Sequence, residues 1–189
     1  MHREERSSRP PMRPSDEATE EQLDLAREQG KALQKALEHM TREVADDGGE
    51  KRAGDYLVGY AVERAEGMYH MRDGRLEWQN PSEEENVHVE VSVRDGSDGR
   101  FIPGLEVHAT LVDAAGEEVG THLQPFLWHP WLYHYGRNWH VPGDGEYTLR
   151  VRIEPPEFHR HDKENGMRFT ETVEVDFEGV KIKTGREVE

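Results

Sequence analysis

The feature that most constrains the fold of this chain is an alternation of apolar and polar residues from about Gly54 onward. Side chains of a β-strand point alternately to the two faces of a sheet, so alternation predicts strands with one face in a core. In residues 87–93 every second residue is valine, which leaves His88 and Glu90 together on the opposite face. The same pattern predicts strands at residues 56–62, 105–111, 119–121, 146–153 and 169–177.

Turns rather than helices separate these short strands. Asp113-Ala114-Ala115-Gly116 is typical of a hairpin turn, and Pro155-Pro156 ends the preceding strand. Many short strands without intervening helices predict a mainly β fold, an immunoglobulin-like antiparallel β-sandwich, with an N-terminal helical extension. The chain contains no cysteine, which excludes an antibody domain with its disulfide and a metal site with thiolate ligands.

The residues before the sandwich have a different composition. Residues 1–15 are rich in proline and poor in apolar side chains, so we expect a disordered tail. Residues 16 to about 44, capped by Ser15 or Asp16, carry a thin apolar stripe that predicts a helix lying on the domain or on a partner subunit. Residues 46–50 are interpreted as a linker. The predicted divisions are a tail (1–15), a helix and linker (16–53), the sandwich (54–180) and a C-terminal tail (181–189).

The chain of 189 residues has a formal net charge of −16. Such a charge argues against binding of nucleic acid or of an anionic membrane surface, and it favours a cationic ligand. Adaptation to a salty habitat explains the acidic excess equally well. The sequence shows no apolar run long enough to cross a bilayer and no signal peptide, so we expect the chain as written to be soluble.

Eight of the eleven histidines lie between residues 88 and 161. Imidazoles grouped in a chain without cysteine are typical of a transition-metal site. His88 and Glu90 would point to the same side of a strand and supply one imidazole and one carboxylate. The sequence therefore predicts a metal site that includes this pair.

Residues 122–136 carry the highest density of histidine and aromatic side chains. We expect a structured loop in which aromatic rings exclude water and fix the imidazoles, as the hydrophobic shell of a metal site does. The alternative is a small satellite core in which His129 and His134 only bind backbone groups. For the histidines as a group we favour a shared cation, because each buried imidazole needs a partner.

Several short motifs follow one another along the chain: His88-Val89-Glu90, Phe101-Ile102-Pro103, His134-Tyr135-Gly136, Gly145-Glu146-Tyr147, Ile153-Glu154-Pro155-Pro156 and His159-Arg160-His161-Asp162. In this order they resemble motifs of the periplasmic ferrous-iron transport proteins, which are accessory proteins and lipoproteins of bacterial iron uptake, often encoded beside an iron permease. The resemblance covers residues 54–177, which is the predicted sandwich without the N-terminal helix.

The resemblance implies a homodimeric immunoglobulin-like protein that binds copper, and by inference iron, through histidines, a glutamate and a methionine. By position, His88, Glu90 and His134 match three of these ligands. His161 matches the last histidine, with His159 as the runner-up.

The methionine ligand is where this chain departs from the family pattern. Gln124-Pro125-Phe126 stands in place of a Met-Pro-Met segment. Gln124, His122 or His129 could take the position of the missing methionine ligand. Met68 could also approach the site, from the same or the other subunit, although a role in filling the core is the alternative. Without the thioether, imidazole and carboxylate ligands suit Cu(II), Fe(II) or Zn(II) better than Cu(I).

We therefore expect a metal-binding protein of iron uptake, not an enzyme, that holds copper or iron, with zinc as a further candidate. The alternatives are a metalloenzyme with an open coordination position and Glu90 as base, or a metal-free sandwich that binds a protein partner. The resemblance implies an extracytoplasmic location and an iron permease as partner. The missing signal peptide leaves a cytoplasmic location open.

Overall fold

The computed structural model describes residues 11–188, so most of the tail predicted for residues 1–15 lies outside the described residues. The described chain contains helix α1 (Glu20–His39), one π-helical turn (Met40–Val44) and eleven strands. The strands are β1 (Asp47–Ala53), β2 (Tyr56–Glu63), β3 (Met68–Arg72), β4 (Arg75–Gln79), β5 (Val87–Asp95), β6 (Val107–Val112), β7 (Glu118–Leu123), β8 (Phe126–Trp128), β9 (Tyr133–Trp139), β10 (Gly145–Ile153) and β11 (Val173–Ile182).

The strands form the predicted antiparallel β-sandwich. One sheet has the order β1-β2-β5-β9-β8, the other has the order β11-β10-β6-β7, and β3 pairs with β4 in a separate hairpin. Apolar side chains from both large sheets fill one continuous core, among them the fully buried Val89, Leu111 and Val151. The predicted fold class is confirmed, including the N-terminal helix.

Strand β5 is the middle strand of its sheet, and all nine of its residues are buried. Its valines face the core, as the alternation predicts. The opposite face is covered as well, because Met40 at the end of α1 packs with Ala61 and Leu132 on the outer side of this sheet. Strand β5 therefore presents His88 and Glu90 to a largely covered space, in which His88 is completely buried and Glu90 is 5% exposed.

Helix α1 begins at Glu20, later than predicted. Thr19, rather than Ser15 or Asp16, caps the helix: its hydroxyl accepts from the N–H of Gln22, and the Gln22 side chain accepts from the N–H of Thr19. The helix meets the loop after β5 at Gly30, where an added Cβ would lie 1.7 Å from the carbonyl oxygen of Asp98. The helix thus lies on the domain, which is one of the two positions expected for it.

Residues 46–50 are not a linker. They run into β1, which pairs antiparallel with β2 from Asp47 opposite Val62 to Ala53 opposite Tyr56. An Asp-Gly-Gly sequence is typical of a turn, but here the glycine provides space. A Cβ at Gly48 would lie 2.8 Å from the methyl group of Thr41 in the π-helical turn.

Other boundaries also differ from the prediction. Residues 126–139 form the β8–β9 hairpin rather than a loop, with Phe126 opposite Tyr135 and Trp128 opposite Tyr133. Their many aromatic residues conceal the alternation, since several of the rings are exposed. The β3–β4 hairpin was not predicted, and β11 continues to Ile182. Neither helical segment of the described chain is both long and apolar enough to span a membrane.

Candidate metal centre

Three neighbouring strands place polar side chains on the outer face of the five-stranded sheet, beneath the end of α1. In the sheet register His88 of β5 lies opposite Glu63 of β2 and opposite Asn138 of β9. Side chains separated by an even number of residues share a face of a strand, so Glu90 accompanies His88, and His134 accompanies Asn138. The register of the sheet, rather than any single motif, assembles these groups.

His88, Glu90 and His134 form a buried cluster in which one potential ligand atom of each lies within 4.8 Å of the others. Oε1 of Glu90 lies 3.2 Å from Nε2 of His134 and 3.8 Å from Nε2 of His88. The two imidazole rings are nearly perpendicular, at 80°, with their centroids 6.0 Å apart. The structure thus brings together the three residues that the sequence places first among candidate ligands.

A hydrogen bond fixes the orientation of His88. Its Nδ1 lies 2.9 Å from Oδ1 of Asn138, and the same oxygen accepts the backbone N–H of Glu66. An amide oxygen can only accept, so Nδ1 of His88 carries the proton and Nε2 keeps the lone pair. Such a partner behind an imidazole selects the tautomer that can bind a metal.

Within residues 11–188, the ring nitrogens that face the cluster form no hydrogen bond. Nε2 of His88 and both ring nitrogens of His134 are buried and lack a hydrogen-bond partner among the described residues. Burial lowers the pKa of His88 to about 4 and the pKa of His134 to about 3. Both imidazoles therefore stay neutral at neutral pH, and each keeps a lone pair for a metal ion.

Burial shifts the pKa values of the carboxylates at the site in the opposite direction, which is upward. Burial raises the pKa of Glu90 well above its usual range, and the nearby Glu63 and Glu66 raise it further. Glu66, whose Oε1 lies 3.6 Å from Nε2 of His88, has its pKa raised to about 7 by burial and by neighbouring carboxylates. A bound cation would compensate this crowding of negative charge.

Sequence analysis missed Glu63, Glu66 and Asn138. Two glutamates three residues apart are common on protein surfaces, so Glu63 and Glu66 give no specific signal. The information that would have selected Glu63 and Asn138 is the pairing of β2 with β5 and of β5 with β9. This pairing places Glu63 and Asn138 on either side of His88.

Glu90 lies between two spaces of different character. On one side a cavity of about 150 Å³, shared with His134, is walled by the apolar Leu37, Met40 and Leu132. On the other side Glu90 borders an open cleft of about 640 Å³, whose lining includes these ionisable residues: His39, Asp46, Glu63, Arg64, Glu66, His129 and Glu187. The cleft is strongly acidic, and it connects Glu90 with the surface.

The donor set of the cluster fits a transition-metal ion. Ligand atoms around a tetrahedral ion with bonds of about 2.1 Å are about 3.4 Å apart, close to the 3.2 and 3.8 Å separations at Glu90. Two neutral imidazoles with one carboxylate suit Cu(II), Fe(II) or Zn(II), whereas thiolate and thioether ligands suit Cu(I). The residues present therefore fit the type of ion expected from the sequence.

The structure disfavours Gln124 as the replacement for the methionine. Both ends of its buried amide are engaged, because Nε2 donates to the carbonyl oxygen of Val89 and Oε1 accepts from the indole N–H of Trp139. His129 lies outside the cluster at the edge of the acidic cleft, with its ring against Trp131. His122 packs against Trp139 instead of joining the cluster.

The remaining predicted ligands do not join the cluster within one chain. His161 is exposed, and its Nδ1 lies 2.9 Å from a carboxylate oxygen of Glu17. His159 is exposed in the same segment between β10 and β11. Met68, at the start of β3, is half-buried in a cleft that Gly136 and Asn138 also line, so it borders residues that pack on His88.

Residues 50–181 match the model of the Fe²⁺ transport protein family, which is well over half of the chain. The chain belongs to this family. The matched region extends from β1 into β11 and contains the whole cluster, but it does not include α1. The resemblance noted in the motifs is thereby confirmed. No curated protein matches the sequence.

Solved structures share the fold. FetP of uropathogenic E. coli strain F11, recombinantly expressed in the periplasm, is 24% identical with a TM-score of 0.58, over 74% of this chain and 99% of FetP. A copper-bound FetP variant is 24% identical with a TM-score of 0.60, over 72% and 95%. Copper-reconstituted P19 of Campylobacter jejuni is 20% identical with a TM-score of 0.58, over 75% and 96%. At these identities the similarity establishes the fold alone.

Proposed function

We propose that this protein binds one divalent transition-metal ion through His88, Glu90 and His134, and that it assists iron uptake. The observation that carries the proposal is the set of buried imidazole nitrogens without hydrogen-bond partners, gathered around one carboxylate at the end of an acidic cleft. Buried polar atoms without partners cost free energy, so a site that keeps them is adapted to a ligand.

Copper and iron are the proposed ions, with zinc as a third candidate. Copper is supported by the copper-bound structures of FetP and P19, and iron by membership in the Fe²⁺ transport protein family. Imidazole and carboxylate ligands suit both metals in the divalent state. The acidic cleft would attract any of these cations toward the cluster.

The proposal assigns to Glu90 the role of a ligand rather than that of a general base. Its Oε1 lies within 4 Å of Nε2 of both imidazoles, which is the distance expected for ligands of one ion. A catalytic base would instead hold a water molecule beside the ion. We therefore treat the protein as a carrier of the ion and not as a metalloenzyme.

The proposal extends to a homodimer in which His161 or His159 of a second copy completes the site. Two observations support this extension. Both histidines are exposed and lie outside the cluster of their own chain, and the β8–β9 hairpin exposes the large rings of Phe126, Trp128 and Tyr133. Exposed apolar patches of this kind are typical of interaction surfaces. Light scattering of the purified protein would measure the oligomeric state.

The proposed setting is outside the cytoplasmic membrane, with an iron permease as the partner that receives the ion. Family membership and the periplasmic expression of FetP support this setting. Fractionation of the native cells, followed by detection of the protein, would test the location. Crosslinking in the same cells would test the partner.

The direct test is metal content. We expect the wild-type protein, titrated separately with Cu(II), Fe(II) and Zn(II), to retain about one ion of its preferred metal per chain after gel filtration. The His88→Ala, His134→Ala double variant should retain none. Elemental mass spectrometry measures both, and circular dichroism checks that the variant is folded.

A matched control is the His108→Ala, His122→Ala double variant, since both residues lie on the other sheet of the sandwich. This variant should bind metal like the wild type. Equal binding by all three proteins would refute the assignment of the site. Absence of binding by the wild type at every loading would refute metal binding itself and would favour the metal-free alternative.

A further inference from the structure

The segment before α1 contacts the loop that joins β10 to β11. In this loop the side-chain amide of Asn165 accepts from the backbone N–H of Arg13 and donates to the carbonyl oxygen of Arg13, at 2.9 Å each. The hydroxyl of Ser15 donates to Oδ2 of Asp162 at 2.8 Å. These three hydrogen bonds hold the two segments side by side.

Both segments are also ordered internally where they meet. Oδ1 of Asp162 accepts from two backbone N–H groups of its own loop, which closes a tight turn. In the segment before α1, the Ser15 hydroxyl accepts from the N–H groups of Glu17 and Ala18, at 3.2 Å each. Ser15 therefore fixes the backbone of Glu17 with the same oxygen that binds the loop.

This arrangement places Glu17 against His161. Oε2 of Glu17 lies 2.9 Å from Nδ1 of His161, whose side chain is 93% exposed. A carboxylate can only accept, so Nδ1 carries a proton, and in the neutral ring Nε2 keeps the lone pair. Asn138 lies in the same way against Nδ1 of His88. In both histidines a partner behind the ring leaves Nε2 for an ion.

We propose that Glu17 is a positioning residue for metal binding: it orients His161 and selects the tautomer in which Nε2 can bind the ion of a second copy of the chain. The inference rests on the proposed function, in which a second copy supplies this histidine. It adds the segment before α1 to the site, although that segment lies outside the matched residues 50–181. It also favours His161 over His159 as the ligand, since His161 is the ring that contacts Glu17.

Stability is a weak explanation for the contact between Glu17 and His161. The side chain of Glu17 is 48% exposed, and exposed ion pairs add little to the stability of a fold. The hydrogen bonds of Ser15 and Asn165 already join the two segments without it. An imidazole whose orientation is fixed in advance, by contrast, loses less conformational freedom when it binds an ion. The contact therefore acts on the affinity for the ion.

The test is a cycle of variants of the full-length protein: wild type, Glu17→Ala, His161→Ala and the variant with both changes. Calorimetric titration measures the Cu(II) affinity, and electron paramagnetic resonance counts the nitrogen ligands by the splitting that they add to the Cu(II) signal. We expect His161→Ala to lose one nitrogen ligand and both single variants to bind Cu(II) about tenfold more weakly. The double variant should bind no more weakly than His161→Ala, because Glu17 acts only through that ring.

Two further variants serve as a rescue and as a matched control. Glu17→Gln keeps an oxygen that accepts from Nδ1 of His161, so it should bind Cu(II) like the wild type. Glu28→Ala removes an exposed carboxylate from the middle of α1 and should also bind like the wild type. Light scattering and urea unfolding check that the oligomeric state and the stability of each variant are unchanged.

Three results would overturn the inference alone, provided that His161→Ala weakens Cu(II) binding. They are wild-type affinity in Glu17→Ala, a double variant that binds more weakly than His161→Ala, and an affinity of Glu17→Gln as low as that of Glu17→Ala. Unchanged Cu(II) binding by His161→Ala would overturn the ligand from a second copy, and the inference with it. Failure of the wild type to bind Cu(II) would overturn the proposed function itself. The failures are therefore distinguishable.

Discussion

Nδ1 of His88 lies 2.9 Å from Oδ1 of Asn138, across the pairing of β5 with β9. The Asn138 amide also binds the segment after β2. Its Oδ1 accepts from the backbone N–H of Glu66, and its Nδ2 donates to the carbonyl oxygen of Glu66. One side chain therefore sets the tautomer of an imidazole and also holds in place a carboxylate residue beside it.

Replacement of Asn138 by leucine should weaken metal binding about 10- to 100-fold, as does the loss of other groups that orient a ligand. The leucine keeps the volume of the side chain but leaves the His88 tautomer free. Calorimetric titration measures the affinity. Asn86→Leu is the matched control, since Asn86 binds the backbone of Val141 and not the cluster. Equal losses in both variants would mean that Asn138 acts only through stability.

Gly136 should tolerate no side chain without loss of the site. An added Cβ would lie 3.1 Å from Nε2 of His88, from Cδ2 of His134 and from the carbonyl oxygen of Val89. We expect Gly136→Ala to lose metal binding and to destabilise the fold by about 1–3 kcal/mol. Gly143→Ala, where no neighbouring atom lies within 4 Å, should do neither. Urea unfolding and metal titration of both variants check this expectation.

Metal affinity should begin to fall at a higher pH than an ordinary histidine site predicts. The pKa values of His88 and His134 are lowered to about 4 and about 3, so their protonation does not compete near neutrality. The pKa of Glu66 is raised to about 7, and the pKa of Glu90 is also raised. Protonation of Glu90 removes a ligand, and protonation of Glu66 removes a negative charge 3.6 Å from Nε2 of His88, so metal affinity should decline as the pH falls through 7.

The measurement is a titration of metal affinity from pH 8 to pH 4 in wild type and in Glu66→Gln. In Glu66→Gln the metal affinity should no longer decline near pH 7. A wild-type affinity that stays constant down to pH 5 would contradict the role of the carboxylates. Calorimetry in buffers of different ionisation enthalpy would count the protons released on binding.

Glu90→Gln should weaken metal binding and yet stabilise the metal-free protein at pH 8. The folded state raises the pKa of Glu90, so it holds the proton more tightly than the unfolded chain does. Ionisation of Glu90 therefore opposes folding, and its cost grows as the pH rises above the unfolded-state pKa. Glutamine resembles the protonated acid and avoids this cost.

Urea unfolding with a chelator present, at pH 8 and at pH 4, tests whether the substitution raises or lowers the free energy of unfolding. The advantage of Glu90→Gln should be largest at pH 8 and should shrink toward pH 4. The exposed Glu117→Gln serves as a control and should differ little from wild type at either pH. A variant that is less stable than wild type at pH 8 would be inconsistent with a buried, uncompensated carboxylate.

Gly30→Ala should loosen α1 from the domain. By intrinsic propensity alone, alanine stabilises a helix by about 1 kcal/mol relative to glycine. Here the added Cβ would lie 1.7 Å from the carbonyl oxygen of Asp98, so the contact must open. We expect faster proteolysis within α1, whereas Ala32→Gly on the exposed side should weaken the helix only by its propensity. Equal cleavage of Gly30→Ala and wild type would show that the contact can adjust.

The sandwich was predictable because its central strands alternate strictly. The valines of β5 mark its core face, and many short alternating runs without helices between them favour an all-β fold. Strand β1 was not predictable in this way. Its Asp-Gly-Gly sequence follows the local rules for a turn, and only the pairing with β2 and the contact of Gly48 with Thr41 explain why it is a strand.

The candidate site was predictable where it depends on local order and not where it depends on register. His88 and Glu90 stand two residues apart on one strand, and His134 belongs to a recognisable motif. Glu63 and Asn138 reach the site only through pairing with β5, which a single sequence does not specify. His159 and His161 were assigned by resemblance, and their role as ligands stays a prediction.

Helix α1 gives the proposed ion surroundings that the family region alone does not provide. The wall of the apolar cavity beside Glu90 and His134 includes Gln34 and Leu37 of the helix, which precede the matched residues 50–181. On one side an ion held there would face a mixed wall of apolar side chains and the Glu50–Arg94 ion pair, and on the other side it would face the carboxylates of the cleft. Because such surroundings set a reduction potential, removal of α1 should shift the potential of a bound copper ion without removing any ligand.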